Sequence, residues 1–450
     1  MKFQFALTAA ACCGLLAASA NGQSLQQPNV FRTVAASHDY YQHDTKSSHA
    51  ELLTSLGGGG GKASGECDSC EEACSCDADP CRLFPEIGCG WSLTGWIALG
   101  ATANADSPGS RINGPVTFND RSNFQANQLY LSFGRDVDTD GCGFDWGGRV
   151  DMLYGSDYIF TQSAGLELHQ NGNRHWNRNG NQYGLALPQA YAEVAYNNIR
   201  AKVGHFYTII GNEVVTAPDN FFYSHAYTMQ YGKPFTHTGA LASWDYSDQL
   251  VVHGGLVNGW DKFDAVTDQT AFIGGVTYTP CHEQYSLAFA FITGQEDGIA
   301  PPLSGNRTMY SIVFNYHVTD AIEYVFQHDN GWEETGVPGI DNEWYGINQY
   351  LFYEINDCWK AGARVEWFRD DDGARLSSAP VRNGGLGLAP ANVAGNYYNI
   401  SVGLNWTPNA NIIVRPEIRW DWSDGTVVQP FDDLTKDSQM TAAFDAIWLF

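Results

Sequence analysis

Positive charge is scarce in this chain. Its 24 Lys and Arg stand against 50 Asp and Glu, a formal net charge of −26. A nucleic-acid partner is thereby excluded, because binding one requires a basic face that neutralises phosphates. Charge of either sign is thin, at 16% of residues. Long apolar runs are missing too: beyond the N-terminal segment nothing approaches the roughly 18 consecutive apolar residues of a membrane helix. Any crossing of a bilayer must therefore use strands. Disorder over most of the length is excluded by the aromatic residues, which make up 14% of the chain and recur from Trp91 to Phe450. What remains is 450 residues, enough for several soluble domains or for one large all-β unit.

The first 20 residues read as a cleaved signal peptide. Lys2 supplies the positive end, Phe5 to Ala18 a short apolar core, and Ala18-Ser19-Ala20 the small-residue cleavage site. Cleavage is expected after Ala20 or Gly22. The pair Cys12-Cys13 raises a lipoprotein signal, but Ala9-Ala10-Ala11 lacks the large aliphatic residue that should precede it. Residues 21–65 are a low-complexity linker ending in "GGGGGKASG". This is no phosphate-binding loop: Leu56 occupies the place of the first Gly, and Ala63 follows Lys62 where Ser or Thr is needed. A Cys-rich segment, 66–90, leads into the main body at 91–450.

From Trp91 onward, sixteen segments alternate between apolar and polar residues, beginning with 91–103 and closing with 441–450. In the stretch Tyr397 to Thr407, Tyr398, Ile400, Val402, Leu404 and Trp406 share one face, with Asn399, Ser401, Gly403 and Asn405 on the other. A soluble sandwich also alternates. The connections decide between the two, because they alternate in length. Asn197-Asn198, Ser247-Asp248 and Pro408 to Asn411 are short, whereas Gly155 to Leu187, Thr208 to His237 and Asp371 to Asn396 are long. Tight turns on one side and long loops on the other, over an even number of strands, indicate a transmembrane antiparallel up-and-down β-barrel of about 16 strands. Phe444, Trp448 and Phe450 then form the outward stripe of the closing strand.

On the terminal "FDAIWLF" and the internal "VGHFYTIIGNEVVTAPDNFFYSHAYTMQYGKPFTHTGALASW", the chain resembles Gram-negative outer-membrane porins, and more narrowly the OmpL-like β-barrel porins of planctomycete type. The resemblance covers Trp91 to Phe450. It implies passive diffusion of small hydrophilic solutes and ions, frequently as a homotrimer. It also implies an assembly signal in Phe444, Trp448 and Phe450 read by the barrel-assembly machinery. Location in the outer membrane follows, with lipid and lipopolysaccharide as surroundings. Neither a cofactor nor a metal is expected. The Cys-rich segment has no counterpart in ordinary porins.

Charged side chains on the polar face of the strands are expected to line the lumen, since charge facing lipid is costly. These are Asp145, Arg149, Asp151, Glu193, Arg200, Lys202, Glu323, Lys360, Arg364, Glu366, Arg415, Glu417, Arg419 and Asp421, with Gln327 among them. The connection Thr208 to His237, after the fifth strand, is the candidate constriction loop. It carries Glu213 and Asp219, then Lys233 and His237. One reading sets these acids across water from a basic wall of Arg149, Arg200, Lys202, Arg364, Arg415 and Arg419, creating a transverse field. In the other, the charges solvate the lumen or pair with each other.

Nine cysteines follow the signal: Cys67, Cys70, Cys74, Cys76, Cys81, Cys89, Cys142, Cys281 and Cys358. The last three sit in predicted short turns on the same side as the cluster. An oxidising periplasm makes disulfides the default, with connectivity undetermined. A zinc site fits Cys67-x-x-Cys70 but not the crowded Cys74 and Cys76. Enzymatic readings have little support. His205 and His328 fall on the predicted lipid side as girdle residues, and no motif brings a Ser to them. The alternative to an open porin is a structural or adhesive barrel with a closed lumen and a disulfide-linked N-terminal segment.

Overall fold

In the computed structural model, residues 82–85, 87–116, 122–139, 141–169, 172–177, 182–264, 270–297, 304–337, 339–377 and 390–450 are described. The signal peptide, the linker and the cysteines from Cys67 to Cys81 lie outside the described residues.

A period of two dominates the chain, and the last strand shows why that makes a wall. Met440, Phe444 and Trp448 are about half exposed, whereas Thr441, Asp445 and Ile447 between them are buried. One face suits lipid and the other an interior. The strands are β1 (Ser92–Asn104), β2 (Phe124–Arg135), β3 (Phe144–Gly155), β4 (Gly184–Tyr196), β5 (Ile199–Tyr207), β6 (Thr236–Ser247), β7 (Leu250–Val257) and β8 (Ala271–Tyr278). They continue as β9 (Tyr285–Asp297), β10 (Ser304–Thr319), β11 (Ile322–Val337), β12 (Ile340–Asn356), β13 (Trp359–Asp370), β14 (Gly395–Asn409), β15 (Ile412–Asp424) and β16 (Ser438–Leu449).

Each strand pairs antiparallel with its chain neighbours, and β1 pairs with β16, so the sheet closes into a 16-stranded barrel. The seam runs from Trp96↔Leu449 to Asn104↔Thr441. Beyond it, Gly95 and Phe450 exchange both backbone hydrogen bonds at 2.9 Å. Phe450 packs beside Trp448, their ring centres 5.4 Å apart. Its ring is only 8% exposed, because it lies over Gly95, where a Cβ would come within 3.0 Å of it. The outer wall carries aromatic pairs near the tight turns, including Trp359 stacked on Trp406 at 5.6 Å and Trp91 on Phe133 at 5.0 Å. Such rings suit the boundary between lipid and water.

Two expectations need correction. The alternation of loop lengths is not strict: β11 and β12 run 16 and 17 residues and meet through residues 338–339 alone. Here the wall itself extends where other strand pairs use a loop. His205 is also no girdle residue. It is fully buried, with Nδ1 at 2.8 Å from Thr238 Oγ1, Ser163 Oγ 3.4 Å from Nε2 and Phe263 edge-on. The β3–β4 and β7–β8 connections fold over it. Ser163 is buried as well. His328 stays on the outer face, its Nε2 3.2 Å from Tyr310 Oη.

Among the described cysteines, Cys89, Cys142 and Cys281 carry free, exposed thiols. They do not pair with one another, since Cys142 and Cys281 stand on turns six strand positions apart around the rim. Cys358, in the β12–β13 turn, is disulfide-bonded. A thiol-alkylating reagent applied to the folded, unreduced protein should therefore modify Cys89, Cys142 and Cys281 but not Cys358. Peptide mass spectrometry should show Cys358 modified only after reduction, and its labelling beforehand would contradict the assignment.

Candidate functional site

The connection between β5 and β6, residues 208–235, does not leave the barrel. Nearly all of it is buried, and it forms a strap that crosses the lumen. By Asn212 it has reached the far wall, where its amide N–H donates to Gln327 Oε1 of β11 at 3.4 Å. Gly211 makes the crossing possible: it adopts φ +88°, and a Cβ there would meet the Lys233 side chain at 2.7 Å. The strap turns back toward β2, where the Gln128 carboxamide takes the Ala217 N–H at 3.1 Å and donates to Val215 O at 2.7 Å.

A buried chain without a strand partner must satisfy its backbone some other way. Three carboxylates take its amides. Glu213 Oε2, within the strap, accepts from Ala226 N–H at 2.8 Å. Glu366 of β13 accepts from Tyr227 and Thr228 N–H at 2.7 Å each. Glu417 of β15 accepts from Ser224 N–H at 2.9 Å. Three arginines take its carbonyls. Arg364 of β13 donates to Ser224 O at 2.9 Å, and Arg419 of β15 to His225 O at 2.6 Å. Arg415 of β15 donates to Ala217 O and Asn220 O at 2.7 and 2.5 Å. Lys233 holds the two legs together, its Nζ on Ile210 O and Glu213 O at 2.9 and 2.5 Å.

The same side chains pair with each other. Arg364 meets Glu213 Oε1 at 2.7 Å, and Tyr350 Oη donates to that oxygen at 2.9 Å. Arg415 pairs with Asp445 at 2.5 Å, Arg419 with Asp421 at 2.7 Å, Arg149 with Asp151 at 3.0 Å and Arg200 with Asp245 at 3.3 Å. Arg135 pairs with Asp145 at 2.7 Å and Lys360 with Glu323 at 3.4 Å. Lys202 lies over the rings of Tyr191 and Phe206, 5.1 and 5.7 Å from their centres. Asp219 is half-buried and closes a 3-10 turn, Ala217–Asp219. The loop acid Glu213 and Arg364 of the wall touch instead of facing each other across water. A transverse field built on Glu213 and Arg364 is thereby neutralised at its source. Asp445 and Tyr350 were not singled out from the sequence, although alternation with Phe444 already placed Asp445 on the inner face.

His225 sits inside this network, Nδ1 3.2 Å from Glu213 Oε2. Burial is the main cause that pushes its imidazole down to about 4, against the opposing pull of Glu213. Glu213 is held well below the usual carboxylate range: burial works to raise it, but Arg364 and His225 together outweigh burial.

A closed 16-stranded barrel with an inward-folded loop after β5 and a charged interior defines the outer-membrane porin class. Within it, the chain belongs to the family described as "Putative beta-barrel porin-2, OmpL-like", which matches residues 90–450. Solved structures with this fold include the outer membrane channel DcaP of Acinetobacter baumannii, 14% identical over 81% of this chain and 99% of that one, TM-score 0.52. An anion-selective porin from Comamonas acidovorans is 9% identical over 80% and 99%, TM-score 0.53. The trimer form of OmpT of Vibrio cholerae is 11% identical over 80% and 99%, TM-score 0.51. No curated protein matches the sequence. The protein is a porin-type barrel of the bacterial outer membrane.

Two predictions follow from the strap. Arg364→Met leaves the Glu213 carboxylate buried without its cation and should cost on the order of 3–5 kcal/mol in unfolding free energy; Glu213→Gln in the same chain should restore a large part, as a double-mutant cycle would read. For His225, the folded strap holds fewer protons than an unfolded chain, where an imidazole titrates near 6.5. Anchoring should thus be full above about 6.5 and weaken as pH falls toward about 4. Hydrogen exchange of residues 213–228 should rise over that window, and His225→Gln should flatten the rise.

Proposed function

We propose that the protein is a passive porin through which small hydrophilic solutes diffuse down their gradients. The observation that supports this most is the strap itself. A barrel of about sixteen strands encloses a lumen wider than its wall side chains fill. The chain here spends 28 residues, Thr208 to Phe235, narrowing it from within. A merely structural cylinder gains nothing from a loop pinned across its interior by ion pairs. No chemistry is assigned to the lumen, since its charged groups are engaged in holding the strap. Homotrimeric assembly belongs to this reading, supported by the trimer form among the structural neighbours, as do lipopolysaccharide contacts and insertion by the barrel-assembly machinery.

The second reading, a closed envelope scaffold, draws on a different observation. Cys358 is disulfide-bonded in a tight turn at the end of the barrel where residues 87–91 lead into β1. A covalent tie at that rim would suit a protein linking envelope layers. Purified protein in planar bilayers separates the two: a porin should give discrete conductance steps, and vesicles containing it should swell in small polyols. Silent bilayers and unswollen vesicles, with folded barrel present, would favour the scaffold.

A further inference from the structure

Between the strap and the β1–β5 wall lies a cavity of about 30 Å³, room for roughly two waters. The wall lines it with Trp96, Arg149 and Asp151. Both legs of the strap line it too, with Val214 and Val215 on the outgoing leg and Met229 and Lys233 on the returning one. It is not sealed. Arg149 keeps 14% of its side chain exposed, and Tyr207 and Val214, also in the lining, are half-buried. Along β3, Arg149 stands nearer the β2–β3 turn than the fully buried Asp151 does, which places the opening on the side of that turn.

Two cations and one carboxylate border this space, and they are not equally satisfied. Asp151 accepts from Tyr130 Oη at 2.6 Å, Gln189 Nε2 at 2.7 Å and Arg149 Nε at 3.0 Å. Lys233 is only 3% exposed, and its ammonium carries three N–H groups. Two of them go to Ile210 O and Glu213 O, both uncharged carbonyls. Three carboxylates feel its charge, Asp329, Glu213 and Asp261, but each is engaged elsewhere. Glu213 is taken by Arg364, Asp261 by the Phe235 and Thr236 amides and Asp329 by Gln327. Among the described residues, no carboxylate forms an ion pair with Lys233. A buried cation in that state is costly, and this one borders a cavity.

We propose that this cavity is a subsite for a small carboxylate of acetate size, held by the third N–H of Lys233. The inference rests on the porin reading and deepens it by naming a solute class. A carboxylate supplies the missing counter-charge through a charge-assisted hydrogen bond, which is roughly twice as strong as a neutral one. Its methyl group meets Trp96, Val214, Val215 and Met229, contacts from which a methyl gains by leaving water. At the opening Arg149 and Asp151 pair with each other, so Lys233 sets the sign of the charge inside. Acetamide has the same shape as acetate but brings no charge to the ammonium.

The test uses full-length protein, folded in detergent micelles, titrated with sodium acetate or acetamide and read by saturation-transfer NMR of the ligand methyl group. Acetate should bind at least about tenfold more tightly than acetamide, the difference expected from one hydrogen bond to a charged group. Lys233→Met should abolish that preference. Val214→Phe should block the cavity and remove acetate binding while hydrogen exchange of residues 213–228 stays as in the wild type, which separates the subsite from the hold of Lys233 on the strap. Gel mobility before and after heating verifies a folded barrel, and Val214→Phe serves alone if Lys233→Met does not fold. Equal affinities in the wild type, or binding of neither molecule, overturn the subsite. So does a preference that survives in either folded variant. Planar-bilayer conductance of the same protein reads the porin separately. Conductance steps without an acetate preference leave the porin standing and the subsite overturned; acetate binding in a silent barrel overturns the porin reading, and with it any part of the site in passage.

Discussion

Hydrocarbon offers no hydrogen bonds, so a strand crossing it must find a partner for every N–H and C=O on both edges. That constraint bears hardest on β1 and β16, the only strands whose pairing partners are separated by almost the whole barrel in sequence. Their seam, continued by the mutual bonds of Gly95 and Phe450, removes the last free edges. Gly95 bears part of this: a Cβ there would meet Tyr130 O at 2.2 Å as well as the Phe450 ring. Closure also creates the two environments on which everything else depends. Outside, alternate residues face lipid; inside, the opposite set can be polar without penalty.

The interior is then a space with a backbone problem of its own. A strap of irregular chain crosses it, and irregular backbone at membrane depth is tolerated only where protein or water satisfies it. Side chains perform here the task that neighbouring strands perform in the wall. Arginines replace N–H donors and carboxylates replace carbonyl acceptors, both charge-assisted and hence stronger than neutral bonds. Arg364, Arg415 and Arg419 are also neutralised by Glu213, Asp445 and Asp421, so little of their charge is left unpaired. The lumen spends much of its charge on architecture.

Much of the barrel was legible from the sequence because its wall is written in a short period. Segments such as Tyr397 to Thr407 announce themselves locally, and their ends, near Gly and Asn turns, fall within a few residues of β14 and its neighbours. The strap's position was legible too, as a long connection after the fifth strand with acids among aromatics. Its contacts were not. Arg364 and Glu213 are 151 positions apart, and nothing local distinguishes an arginine that faces water from one that clamps a carbonyl. His205 misled for a related reason: alternation gives the face of a strand but not what folds over it.

The lateral row that register builds from Leu241, Gly255, Ile273, Ile292 and Met309 is the least legible feature of all, since no two of its members share a strand. Leu241, Ile273 and Met309 each look like one apolar residue among several in an alternating segment. Only register aligns them, and register depends on turn lengths and on the shear of the closed barrel. Shifting one pairing along that sector by a single residue would turn its inner set toward lipid, and a two-residue shift would bring the Ser243 or Arg307 level into the row. A lumen's chemistry is therefore a property of pairing between strands, carried by the same hydrogen-bond ladder that seals the wall. Closure and the lining of the interior rest on one set of bonds, so a substitution that slipped the register would change which side chains face inward before it removed a single lining residue.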